Sequence, residues 1–203
     1  MIQIRLITAV FLMSLTGIAF ASADAAAGKE KAAACGGCHM PDGNSMVPTF
    51  PKLAGQGAKY IAKQLADFKA NTTRQDPVML GMATPLSEQD MADIAAYFSM
   101  QKLAGPAPAD ESKLALGKEI FKGGVIAKGV PACQGCHGPV GAGNAPAGYP
   151  QIGGQFAEYT IKQLKAFKDG TRSNDDKELM RKVVANLSDA EIEAVANYIA
   201  SLH

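Results

Sequence analysis

One stretch of sequence returns. "ACGGCHM", Ala34 to Met40, reappears as "ACQGCHG", Ala132 to Gly138, and the text around it repeats as well. "FPKLAGQGAKYIAKQLADFK", Phe50 to Lys69, lines up with "YPQIGGQFAEYTIKQLKAFK", Tyr149 to Lys168. "PLSEQDMADIAAYF", Pro85 to Phe98, lines up with "NLSDAEIEAVANYI", Asn186 to Ile199. Two long copies describe a duplicated domain, since solenoid repeats run to about 20–45 residues and recur more often. Between the copies lies "LAGPAPAD", Leu103 to Asp110, where proline and glycine stop a helix and stiffen a short linker. The expected division is a domain over 24–103, a linker over 104–111 and a second domain over 112–203.

Each copy reads as helical. Ile61, Leu65 and Phe68 fall on one helix face, and Ile161, Leu164 and Phe167 approximate the same face. Ser87 with Asp90, and Ser188 with Glu191, have the spacing of capping boxes that open a last helix in each copy. An Ala- and Lys-rich helix precedes each cysteine motif, over about Ala25–Ala33 and Lys113–Phe121. No segment alternates as a strand does. The fold class is therefore all-α. Around the cysteines the chain reads as loop, rich in Gly, Pro and Asn.

Cys-x-x-Cys-His is the attachment pattern of c-type haem. Two thiols one turn apart match the two vinyl groups of a porphyrin, and the next residue's imidazole falls under the ring, in reach of iron. Cys35, Cys38 and His39 would hold one haem, and Cys133, Cys136 and His137 a second. Other uses of the thiols fit less well. A zinc site from two CxxC pairs closes over about 15–20 residues, whereas these pairs lie in separate copies. A dithiol redox pair needs a βαβ context, which is missing. Disulfides leave the repeated histidine unexplained. The motifs use all 4 cysteines and two of the 3 histidines.

Iron in haem has a second axial position, and His/Met is one of its ligand pairs. Between Ala104 and His203 the only methionine is Met180, and its counterpart in the first copy is Met79. Met82 is a rival in the first copy, but its counterpart, Val183, cannot bind iron. The expected ligands are thus His39 with Met79 and His137 with Met180. Met40, Met46, Met91 and Met100 have no methionine counterpart and read as flexible core filling. His203 reads as a surface residue. Pro51 and Pro150 follow the two histidines at similar distance, and their carbonyls are candidate acceptors for the second imidazole nitrogen. Leu53, Ile94, Ile152 and Val195 are expected against the haems. Tyr60, Tyr159, Lys63 and Lys162 read as an exposed helix face.

Composition and the N-terminus set the context. With 20 Lys+Arg against 19 Asp+Glu, net charge is +1, which gives no case for a nucleic acid partner. Residues 1–23 read as a cleaved export signal: Arg5, an apolar run from Leu6 to Phe20, then Ala21-Ser22-Ala23. The run is short for a bilayer span. The mature chain is expected to begin at Asp24.

Over nearly all of the mature chain the residues resemble class I cytochromes c, and among them the two-haem cytochrome c4 type. The resemblance rests on "CGGCHMPDGNS", "FPKLAGQ", "MLGMATPLSEQDMADIAAYF" and their second-copy counterparts. It implies two tandem cytochrome c domains, each wrapped round one covalent haem c, facing each other across the domain interface. It also implies a periplasmic electron carrier rather than an enzyme, monomeric, with redox protein partners. A cytochrome bc1-type donor and a terminal oxidase acceptor are the expected ones, and peripheral membrane association is compatible with them. Around the methionine "DPVMLGM" and "DDKELMRKV" differ, so Met180 matches the pattern less closely than Met79. Two alternatives use the same residues: a dihaem peroxidase, in which one iron loses its methionine, and a haem relay subunit of a dehydrogenase.

Overall fold

The computed structural model describes residues 22–203. Of the export signal expected over residues 1–23, all but Ser22 and Ala23 lies outside the described residues. The first copy comprises α1 (Ala25–Lys31), α2 (Gly36–His39), α3 (Ala58–Ala70), α4 (Pro77–Ala83) and α5 (Glu88–Ser99). The second comprises α6 (Glu111–Gly123), α7 (Gln134–His137), α8 (Ala157–Asp169), α9 (Leu179–Val184) and α10 (Asp189–Ser201). Among the described residues there is no strand, only the isolated bridges Val125–Val130 and Asn144–Tyr149.

Local chemistry explains the helix limits. Asp24 and Asp110 cap α1 and α6 by accepting backbone N–H bonds. Both capping boxes form, Ser87 with Asp90 on α5 and Ser188 with Glu191 on α10. The helix α3 ends on Asn71 in the left-handed conformation, and α8 ends on Gly170, also left-handed. Helices α4 and α9, which carry Met79 and Met180, are 7 and 6 residues long, too short to show a period in the sequence.

In each copy the first helix crosses the last at a glycine. A Cβ on Gly28 would lie 2.0 Å from the carbonyl oxygen of Asp93 on α5, and one on Gly117 would lie 2.1 Å from that of Ala194 on α10. Both glycines open the same tripeptide, Gly28-Lys29-Glu30 and Gly117-Lys118-Glu119, which thus marks a contact between helix backbones in each copy. Ile61, Leu65, Met91, Ile94 and Phe98 form the first core. Ile120, Phe121, Phe167, Val184, Ile192, Val195 and Ile199 form a larger second one. The linker runs without regular structure from Lys102 to Asp110. It is tied down by Ala107 N donating to Ala200 O at 2.8 Å and Asp110 N donating to Asn197 Oδ1 at 2.7 Å.

The copies meet in a reciprocal way. Gln56 Nε2 donates to Gln151 O at 2.8 Å, and Gln56 Oε1 accepts from Gln151 N at 3.0 Å. Gln155 does the same to Lys52, at 3.0 Å both ways. Counterpart residues exchange counterpart bonds, as at a two-fold interface.

Gly117→Ala should destabilise the second domain by about 1–3 kcal/mol, the usual cost of overpacking. Denaturant unfolding of the haem-loaded protein measures it. An unchanged midpoint would mean that α6 and α10 are not in backbone contact.

Candidate haem centres

The cysteine motifs are short helical turns rather than loops. His39 N donates to Cys35 O at 2.9 Å and Cys38 N to Cys35 O at 3.2 Å, and His137 and Cys136 repeat this onto Cys133 O at 3.0 and 3.3 Å. In the first copy the turn follows α1 through a single 3-10 turn, whereas in the second residues 124–132 separate it from α6. All four cysteines are free. Burial pushes the Cys133 thiol up to about 11 and raises Cys35 as well. Redox and zinc-binding cysteines are instead held below their ordinary value. Among the described residues no cluster of His, Cys, Asp and Glu could hold a bare metal ion.

Both imidazoles are buried and oriented. His39 Nδ1 lies 2.8 Å from Pro51 O, and His137 Nδ1 lies 2.9 Å from Pro150 O, as the spacing suggested. A carbonyl only accepts, so the proton sits on Nδ1 and the Nε2 lone pair is left for another partner. Burial holds both rings' pKa below the ordinary value, against the Pro51 and Pro150 carbonyls, so they stay neutral and able to ligate.

His39 opens onto a cavity of about 530 Å³ that Cys35, Cys38, Leu53, Ile61, Ile94 and Phe98 also line. Protein interiors rarely leave more than a water-sized void, and this volume is that of a ligand site. Met79 and Met82 both line it. In the second copy Met180, Val183, Cys133 and Ile152 pack against one core cluster, in which Val195 is buried. Met91 is core filling, but Met46 and Met100 are 75% and 74% exposed, so that reading fails for both. They follow the turn after the motif and the end of α5, where no core exists to fill. His203 is exposed, as expected.

Two buried arginines carry no local signal in the sequence. Arg74 and Arg172 are both 6% exposed. Arg74 lies over the Phe68 ring and donates to Gln64 Oε1 and, across the interface, to Tyr159 OH at 2.8 Å. Arg172 lies over Phe167 and donates to Gln163 Oε1 at 2.8 Å and, across the interface, to Tyr60 OH at 3.0 Å and Gln64 Oε1 at 3.1 Å. Tyr60 and Tyr159 are thus half-buried interface residues, not an exposed face, whereas Lys63 and Lys162 are indeed exposed. Burial raises the Tyr60 hydroxyl's pKa, but Arg172 and Arg74 outweigh it and hold it below the ordinary value. Both guanidiniums line the cavity, and their direct acceptors are neutral. Buried cations call for anions, and the carboxylates of a haem supply them. Thiols, imidazoles, apolar walls and buried cations together fit that group. The signal available in the sequence was scarcity: Arg74 and Arg172 are two of four arginines and sit at matching places in the repeat.

A helical shell built around a Cys-x-x-Cys-His turn with a carbonyl-oriented imidazole, made twice here and opening onto an apolar cavity in the first copy, defines a c-type cytochrome. The cytochrome c family model matches residues 25–102 and 114–203. Cytochrome c4 of Pseudomonas aeruginosa is 51% identical over 98% of each chain. The crystal structure of reduced recombinant cytochrome c4 from Pseudomonas stutzeri superposes with a TM-score of 0.86 at 51% identity, over 89% of this chain and 100% of that one. A thiosulfate dehydrogenase electron acceptor of Thiomonas intermedia is 40% identical, over 89% of this chain and 84% of its own. The chain belongs to the cytochrome c family and, within it, to the cytochrome c4 group of dihaem electron carriers.

One difference between the copies is strained. Met40, after the first motif, has φ 66 and ψ 153, a region open almost only to glycine, and its counterpart Gly138 has φ 81 and ψ 163. Met40→Gly should stabilise the first domain by about 1 kcal/mol or more. Gly138→Ala should destabilise the second. Thermal unfolding of both variants checks this, and opposite signs would contradict it.

Proposed function

We propose that this protein is exported to the periplasm and carries electrons one at a time to a terminal oxidase, with a cytochrome bc1-type complex as donor. Cys35 and Cys38 hold one haem c and Cys133 and Cys136 the other. His39 with Met79, and His137 with Met180, are the axial ligands. The working units are the domains 24–103 and 112–203, joined by the linker 104–111, in a monomer that associates with membranes peripherally if at all.

The observation that carries the reading is the pair of imidazoles. Each has its Nδ1 proton engaged by a proline carbonyl and its Nε2 left for iron. The haems supply reversible one-electron oxidation and reduction. The chain's own groups do the rest. His39 and Met79, and His137 and Met180, would hold iron from both sides and leave no position for substrate, which favours a carrier over a peroxidase. Buried apolar walls at Leu53 and Ile94 exclude water and favour the less charged, reduced state. Tyr60–Arg172 and Tyr159–Arg74 link the two domains directly, so an electron gained in one is close to the other.

Export is supported at the new N-terminus. Asp24 N donates to Asp93 Oδ1 at 2.9 Å. Cleavage after Ala23 would turn that amide into a charged α-amino group and strengthen the bond. Among the described residues no helix is long and apolar enough to cross a membrane. A second reading, electron acceptor of a dehydrogenase, is favoured by relatives named as thiosulfate dehydrogenase electron acceptors.

Spectroelectrochemical titration should resolve two one-electron steps per chain. Arg172→Gln should lower at least one midpoint, on the order of 50 mV if the lost cation is worth about 1.2 kcal/mol to the reduced state. Reduced protein should be reoxidised by oxidase-containing membranes of its host. A single one-electron step, or turnover of peroxide, would contradict the carrier reading.

A further inference from the structure

The first helix of each copy is capped by an aspartate whose backbone nitrogen donates into the last helix. In the second copy Asp110 N donates to a neutral amide, Asn197 Oδ1, at 2.7 Å. In the first Asp24 N donates to a carboxylate, Asp93 Oδ1, at 2.9 Å. Both acceptors are buried. The chain runs on through Asp110, so the donor there is always an amide. At Asp24 the expected export cut falls on the bond to that very nitrogen.

The acceptor in the first copy has more negative charge around it than its neighbours balance. The Asp93 side chain is 4% exposed. Its Oδ1 also accepts from Gln89 Nε2 at 2.7 Å, and its Oδ2 from Lys31 Nζ at 2.8 Å. Lys31 is shared, for it also lies 2.6 Å from Asp90 Oδ1. Two carboxylates of α5 thus face one cation of α1. The carboxylate of Asp24 itself, which accepts from Ala26 N and Ala27 N, is a third anion. Between α6 and α10 the pairing near Asp110 is one to one, Lys113 with Glu193 at 2.5 Å. Buried anions call for cations.

We infer that Asp93 is the binding site for the mature chain's own α-ammonium group, and that α1 is held most firmly on α5 in a chain that begins at Asp24. The inference rests on the export reading. Hydrolysis of the Ala23–Asp24 peptide consumes one water and leaves a carboxylate on Ala23 and an ammonium on Asp24. The nitrogen already lies against Asp93, and there it gains a full charge and two more hydrogens. A cation at the start of α1 opposes the helix dipole, and Asp93 offsets that repulsion. A chain one residue longer keeps a neutral amide at Asp24 and carries its charge elsewhere. The clasp is therefore withheld until the signal is removed.

The sign of the pH dependence follows. Pairing with Asp93 raises the ammonium's pKa above the ordinary value of about 7.7–8.0. Its contribution is full below about pH 8 and is lost as pH rises through the raised value. Hydrogen bonds hold Asp90 and Asp93 below the carboxylate range and Lys31 above the usual lysine value, so these three keep their charges across that window.

The test compares two haem-loaded full chains, one beginning at Asp24 and one at Ala23, with each start verified by intact mass. Acylation of the α-amino group at pH 7 should be about tenfold slower in the Asp24 chain, the mark of a pKa raised by about one unit. Asp93→Asn should remove that difference. Hydrogen exchange of the α1 amides, referred to the α6 amides of the same molecule, should be about fivefold slower in the Asp24 chain at pH 7. Equal acylation or equal exchange in the two chains overturns the proposal, as does a natural mature chain that begins at another residue. Retention of residues 1–23 in the natural protein overturns the export reading and the proposal with it.

Discussion

Everything in this molecule is arranged around a space that its own side chains leave open. In a domain of this size the helices could collapse onto one another, and the close glycine crossings of α1 on α5 and α6 on α10 show how tightly they do so on one side. On the other side α3, α4 and the cysteine turn of the first domain, closed by Tyr159, Gln163 and Arg172 of the second, surround about 530 Å³. A flat apolar group held by Cys35 and Cys38 would cover these walls and become part of the core.

The second organising force is charge at the interface. Arg74 and Arg172 are buried, both donate to Gln64 Oε1, and each reaches into the other domain to a tyrosine hydroxyl. Two cations so close repel unless anions lie between them. Haem carboxylates meeting there would bind the domains together and make each domain's charge felt by the other's redox centre. The reciprocal bonds of Gln56 and Gln155 to backbone set the register in which this happens. The interface is therefore polar and specific.

Much of this was legible in the sequence because the chemistry is local. A Cys-x-x-Cys-His turn, a capping box and a periodic face such as Ile61, Leu65 and Phe68 each declare themselves within a few residues. The repeat adds what locality lacks: Met180 stands alone in its copy and points to Met79, which shares the cavity wall with Met82. The crossed arginines escaped notice because their partners lie in the other domain, at positions that no periodicity links. The same holds for Tyr60 and Tyr159, whose helix faces look exposed until a second domain covers them. Met46 and Met100 went wrong for the opposite reason, since their hydrophobicity suggested a core that the chain does not build there.

The account's central claim is covalent: this polypeptide closes around two haems, each fixed by its own pair of thioethers. Intact-mass measurement of the purified protein, made in cells that mature c-type cytochromes, tests it most directly. The account predicts a single species at the mass of the chain from Asp24 plus two haem groups, retained under denaturing conditions. A species lacking one or both groups, while folded and helical, would contradict it.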